Sequence, residues 1–141
     1  MIRVCDLMHK GVIFCYRDDN AKDIAKMMET NQIRSVAVVD ENGEIWGVVS
    51  IMDMLAHYGK DLSKIRAEEI MRSYKIDIDA QWPIEKAVEL MRKKKIEQWI
   101  IVDPHGGPKR PVGILTTCDI VQYMSGIKAG HLEQYLKFHK E

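Results

Sequence analysis

Laid on itself at a shift of 63 residues, the chain repeats, and this restricts it to folds built from two equivalent halves. Ile2-Arg3 falls on Ile65-Arg66, Met8 on Met71 and Ile13 on Ile76. The apolar stripe Ala21, Ile24, Ala25, Met28 falls on Ile84, Ala87, Val88, Met91, and both have the spacing of a helix with one buried face. Pro83 suits the first turn of the second of these helices. The runs SVAVVD (35–40) and QWIIVD (98–103) superpose as buried strands ending in Asp. The register then slips by three residues, which HGGPKRP (105–111) takes up as a turn, and GVVSIMDML (47–55) matches GILTTCDIV (113–121).

Each half reads as a short extended lead, a helix, a strand, a Gly-containing turn, a second strand and a closing helix. Such a β-α-β-β-α unit, of about 55 residues, buries too little surface to be stable alone. Two of them packed sheet to sheet share one core, which makes the fold class α+β with pseudo-two-fold symmetry. The units run over 1–58 and 65–125, with a polar linker at 59–64 containing Gly59. Residues 126–141 have no counterpart; Leu132, Tyr135, Leu136 and Phe138 give them a partial helical stripe, either packed on the module or facing a partner.

Composition removes several function classes. Lys plus Arg (21) cancel Asp plus Glu (21), so no global basic field exists to drive nonspecific binding to nucleic acid or anionic membrane. The run Arg92 to Lys95 ends a helix, where the dipole favours cations, and reads as a solvated face. No apolar run approaches the ~18 to 20 residues of a membrane helix, and the N-terminal MIRVCDLMHK is charged where a signal peptide is apolar. A cytoplasmic protein is expected. Cys5, Cys15 and Cys118 lack CxxC spacing and the five histidines are scattered, so free thiols and no metal site are expected. No nucleophile, phosphate-loop or catalytic motif is present in the sequence, and the chain is not expected to be an enzyme.

The chemistry sits in two equivalent tetrapeptides, Ser50-Ile-Met-Asp53 and Thr116-Thr-Cys-Asp119, each following a strand and opening a helix. One reading is a cap, in which the hydroxyl accepts from a first-turn N–H and the acid favours the positive end of the helix dipole. The other is a ribonucleotide site, with the hydroxyl donating to phosphate and the Asp accepting from the vicinal hydroxyls of a ribose. The two are compatible.

With these motifs in the same order twice, the sequence resembles a tandem pair of cystathionine β-synthase (CBS) domains, a Bateman module, over about residues 1–124. The resemblance implies clefts between the units that bind AMP, ADP, ATP or S-adenosylmethionine as a regulatory ligand, with no cofactor required. It implies a ribose role for Asp53 and Asp119 and a phosphate role for Ser50, Thr116, Arg34 and Ser35. The adenine pocket it implies is lined by Val12, Ile13, Phe14 and Ile76, with Trp99 stacking on the base, filling the cleft, or simply packing in the core. Arg34 can belong to the Asp53 site or to the Asp119 site, and the second half has Glu97 in its place. Asp77 and Asp79 stand where the first half has Phe14 and Tyr16.

The resemblance further implies a module that signals to a separate effector protein and pairs with a second copy, Met52 and Met54 being candidates for that contact. The alternatives are a ligand-independent dimerisation scaffold and, third, a nucleic-acid binder using residues 92–95 and the terminal segment.

Overall fold

In the computed structural model, which describes residues 1–75, 77–103 and 108–126, each repeat gives its leading segment to the other. The first repeat opens with α1 (Val4–Leu7) and β1 (His9–Lys10), and continues through β2 (Phe14–Tyr16), α2 (Ala21–Asn31), β3 (Ser35–Val39), β4 (Ile45–Ser50) and α3 (Ile51–Leu55). The second has α4 (Ala67–Ile70), β5 (Arg72–Ser73), α5 (Ile84–Lys94), β6 (Gln98–Asp103), β7 (Arg110–Thr116) and α6 (Thr117–Ser125). A 3-10 turn at Leu62–Lys64 lies in the linker. One sheet has the order β2-β3-β4-β5 and the other β1-β7-β6, so β5 completes the sheet of the first half and β1 that of the second.

The exchange extends to the cores. Val4 of α1 packs with Ile78, Ile84, Met91, Leu115 and Ile120 of the second half. Ala67 and Ile70 of α4 pack with Cys15, Ile24, Met28, Val36 and Val49 of the first. Backbone bonds fasten both leads: Val4 N–H donates to the Trp82 carbonyl at 3.0 Å and Ala67 N–H to that of Asp19 at 2.7 Å. The lead expected to be extended therefore carries one helical turn, because its apolar residue must turn inward to reach the opposite core.

Local chemistry sets the remaining elements. The stripes expected on α2 and α5 are buried at Ala21, Ile24 and Met28 and at Ile84, Ala87 and Met91. Asn20 caps α2 by accepting from Asp23 N–H at 2.9 Å. Pro83 stands just before the helix, at the cap of α5. All five residues of β3 are buried, as a central strand covered on both faces requires. The equivalent of β2 in the second half shrinks to a single parallel bridge from Asp79 to Val102. There the Asp79 carboxylate accepts from Gln81 N–H at 2.6 Å, a local turn that competes with strand pairing.

The sheets meet through Ala37, Ile45, Ile100 and Val102, with Val12, Val48, Tyr74 and Ile114 packed around them. At the pseudo-symmetry axis, Gln98 Nε2 donates to Ser35 Oγ at 3.0 Å, joining two residues related by the 63-residue shift. Residues 127–141, Ile76 and 104–107 lie outside the described residues, and with them the expected terminal helix.

Candidate functional site

Between the halves lies a cavity of about 190 Å³, walled by Ser35, Ser50 and Asp53 from the first half and by Arg72, Tyr74 and Trp99 from the second. Among the described residues, the buried polar side chains are Ser35 and Asp53, and both line this cavity. Burying a carboxylate and a hydroxyl costs free energy unless their bonding capacity is filled, so the walls of the cleft are wired.

The wiring begins with the cap expected from sequence. Asp53 N–H donates to Ser50 Oγ at 3.2 Å, and Ser50 N–H donates back to Asp53 Oδ2 at 2.9 Å. Ser50 Oγ also donates to Oδ2 at 2.8 Å, which commits its only proton to the carboxylate. The second half repeats the box: Thr116 N–H donates to Asp119 Oδ2 at 2.9 Å and Asp119 N–H to Thr116 Oγ1 at 3.1 Å.

Each acid has a further partner, supplied by the exchanged strand. Arg72 on β5 donates Nε to Asp53 Oδ1 at 2.7 Å, and His9 on β1 places Nε2 2.8 Å from Asp119 Oδ1. Neither partner is singled out by sequence reasoning. A signal existed, since the shift that lays Met8 on Met71 also lays His9 on Arg72, but both follow the apolar motif rather than belong to it.

Glycines let these strands approach. A Cβ on Gly47 would lie 2.5 Å from the Arg72 carbonyl oxygen, and one on Gly113 would lie 2.5 Å from that of His9. Those contacts are shorter than any side chain allows, so the crossing of β4 with β5, and of β7 with β1, depends on glycine.

Trp99 and Tyr74 form the aromatic wall, with ring centroids 5.7 Å apart and planes at 29°. Tyr74 O–H donates to the Ile100 carbonyl at 2.5 Å, fixing its ring. Burial, aided by Asp77, pushes the Tyr74 hydroxyl well above the usual phenol range, so it remains a neutral donor. At the positions related by the shift stand Gly11 and the fully buried Val36, so the Asp119 side lacks these rings. The groove beside Asp119 is instead lined by Asp6, Leu7, Met8, His9, Gln122 and Tyr123, mostly from α1 and α6.

The structure thus brings Asp53, Ser50, Ser35 and Trp99 together and leaves other expected residues elsewhere. Arg34 is exposed and lines a separate groove with α2 and α3. Val12 packs between the sheets, Ile13 is half-buried, and Phe14 is an exposed residue of β2 with its ring edge-on to Tyr16. Thr116 and Asp119 lie on the other side of the pseudo-symmetry axis, and Ile76 falls outside the described residues. Lys109 pairs with Asp77 at 2.5 Å within the second half, and Arg110 Nε donates to the Asn42 carbonyl at 2.9 Å, which ties this turn to the first half.

The model of the CBS domain matches residues 4–60 and 67–126, which takes in both repeats and both acids. The chain belongs to the CBS domain family. It is 29% identical over 143 residues to the uncharacterized protein MK0525 of Methanopyrus kandleri, a match covering 99% of this chain and 71% of that one. It spans only about a fifth to a third of other curated relatives, several of them enzymes. Among solved structures, it is similar to a putative acetoin utilization protein (AcuB) from Vibrio cholerae, with a TM-score of 0.76 and 26% identity over 100% of this chain and 98% of that one. It is also similar to the CBS domain pair of protein MJ0100 in complex with 5'-methylthioadenosine and S-adenosyl-L-methionine. There the TM-score is 0.75 with 26% identity, over 89% of this chain and 98% of the other. The α+β fold of two CBS units is therefore the fold of this chain, and no helix among its described residues is long and apolar enough to cross a membrane.

Proposed function

We propose that this CBS pair is a regulatory module that binds an adenosine compound in the cleft at Asp53. The observation that carries the reading is the composition of that cleft: a buried carboxylate, a cation and two stacked aromatic rings around one cavity. A carboxylate accepts ribose hydroxyls, and an aromatic face takes a purine. The adenosine-derived ligands of the MJ0100 pair support the same ligand class. At about 190 Å³ the cavity is below the ~300 to 1,000 Å³ of a full small-molecule site, so it takes part of a nucleotide and leaves the rest at the rim.

Because both halves supply walls, a ligand there binds best to one relation of the halves and shifts the population toward it. The output is this change, read by a separate effector protein, rather than turnover. Exposed apolar residues on α3 and α6 support a second copy of the chain as the structural partner.

The test is mass spectrometry of small molecules released from the purified, heat-denatured protein, followed by titration calorimetry with AMP, ADP, ATP, adenosine and S-adenosylmethionine. A ligand at a hundredfold excess over its Kd adds about 2.7 kcal/mol to stability, several degrees in Tm. If no adenosine compound co-purifies, binds or raises the Tm, the ligand-independent scaffold takes the place of this reading.

A further inference from the structure

Among the described residues lining the Asp53 cavity, Arg72 is the only cation. Its side chain is 76% exposed, and Nε alone is committed, to Asp53 Oδ1. The remaining four N–H groups of the guanidinium make no hydrogen bond to the described residues, and the exposed side chain that carries them lines the cavity.

Asp53 has little capacity left. Oδ2 accepts from Ser50 N–H and Ser50 Oγ, and Oδ1 accepts from Arg72. A carboxylate offers about four lone-pair sites, so one further donor is accommodated while Arg72 stays, and two only when it leaves. A ribose presents two vicinal hydroxyls. Full engagement of the diol therefore displaces the Arg72 guanidinium from Oδ1 and leaves it without its anion. The ligand itself must return one.

We infer that Arg72 is the anion-recognition residue of this cleft, and that the cleft takes one phosphate-bearing adenosine nucleotide in preference to neutral adenosine or S-adenosylmethionine; this rests on the reading of the cleft as an adenosine site. A phosphate ester at the rim meets the released guanidinium in the paired geometry that Arg offers and a point charge does not. Adenosine breaks the Asp53–Arg72 pair and restores nothing. S-adenosylmethionine sets a sulfonium and an ammonium against a single carboxylate, so its net charge toward Arg72 is positive where that of a nucleotide is negative. Ser50 does not supply this selectivity, because its hydroxyl proton is held by Asp53. Nor does Arg34, which lines a different groove. The Asp119 side has His9 in place of Arg72, and Gly11 and Val36 in place of Tyr74 and Trp99, so among the described residues this set of side chains occurs once.

Calorimetry on the full chain at low and physiological salt tests this, with AMP, adenosine and S-adenosylmethionine titrated against the wild type, Arg72→Met and Arg72→Lys. The wild type is expected to bind AMP at least about tenfold more tightly than adenosine, the order of one lost charged hydrogen bond, with one ligand per chain and an advantage that shrinks as salt rises. Arg72→Met should bring AMP down to adenosine while adenosine itself is held or gains, and Arg72→Lys should fall between. The wild-type comparison needs no variant, so it stands even where a variant fails to fold. Equal wild-type affinities for AMP and adenosine overturn the inference and leave the adenosine reading in place. A preference unchanged in Arg72→Met also overturns it, as does a stoichiometry of two. Failure of all three compounds to bind overturns both.

Discussion

The Asp53 carboxylate is held at 2.7 Å by the guanidinium of Arg72, although the two residues lie in different repeats. The related pair, Asp119 and His9 at 2.8 Å, has the same crossing with a different partner. Two capping boxes that are equivalent in sequence thus end in inequivalent partners: a guanidinium on one side, an imidazole on the other. Strand exchange is what makes the pairs, and it ties each acid to the half that does not encode it.

Asp53→Asn is expected to lower stability and ligand binding together. The amide keeps one acceptor oxygen but loses the charge that accepts from Ser50 twice and from Arg72. The loss should be about 1 to 2 kcal/mol, chiefly the cap, since the exposure of Arg72 screens its share. Ligand affinity should drop by about tenfold or more. Urea midpoints and calorimetry read the two effects; an unchanged midpoint would show that the cap carries no weight.

Gly47→Ala and Gly113→Ala should separate the two strand crossings. Each new Cβ meets a backbone oxygen at 2.5 Å, and backbone cannot swing aside as a side chain can. Overpacking of this kind costs about 1 to 3 kcal/mol. Gly47→Ala pushes on β5 and so moves Arg72, which makes it the variant expected to weaken nucleotide binding; Gly113→Ala pushes on β1 and should lower stability alone. Equal effects of the two on binding would contradict a single ligand site at Asp53.

The repeat, the helix stripes and the two hydroxyl–acid boxes were legible because each is local, with a spacing set by one helix or one turn. Both strand exchanges were not. β1 and β5 are two residues long, too short for any periodicity, and their partners lie more than 20 residues away in the chain. The placement of Arg34 eluded sequence for a related reason. Its backbone carbonyl accepts from Ile51 N–H at 3.0 Å, which fixes the main chain beside the helix, while its side chain lines the groove of α2 and α3. Trp99 reads in sequence as a stacking ring, a plug or a core residue; in the structure it both packs against the second core and stacks on Tyr74 at the cavity wall, and Tyr74 gives no signal because its counterpart is Gly11.

The exposed apolar residues of α3 and α6 should mediate pairing of two copies. Met52 is 67% exposed, Leu55 56%, Val121 60% and Met124 74%, an apolar set that water does not favour. Met54, by contrast, is half-buried and packs partly against the first core, so it offers less surface to a partner. Leu55→Lys should shift the protein from dimer to monomer in sedimentation equilibrium while leaving its far-UV circular dichroism intact. A wild type that is monomeric at high concentration would refute this use of these residues.

The thiols should differ sharply in reactivity. Cys15 is 1% exposed, and burial, reinforced by Asp19, pushes its thiol up from 9.0 to about 12. Cys118 is exposed on α6. The thiolate is the reacting form, so at pH 8 a disulfide reagent should modify Cys118 rapidly and Cys15 only as fast as the first core opens. Nucleotide should slow the Cys15 phase and leave the Cys118 phase alone, because ligand stabilises the folded state. The pH dependence follows from the direction of the shift. Cys15 releases its proton more readily when unfolded, so its contribution to stability is complete below the ordinary thiol value and is lost as pH rises from 9.0 toward about 12. Cys15→Ala should flatten this alkaline loss, and an alkaline limb unchanged in that variant would assign the loss to another group.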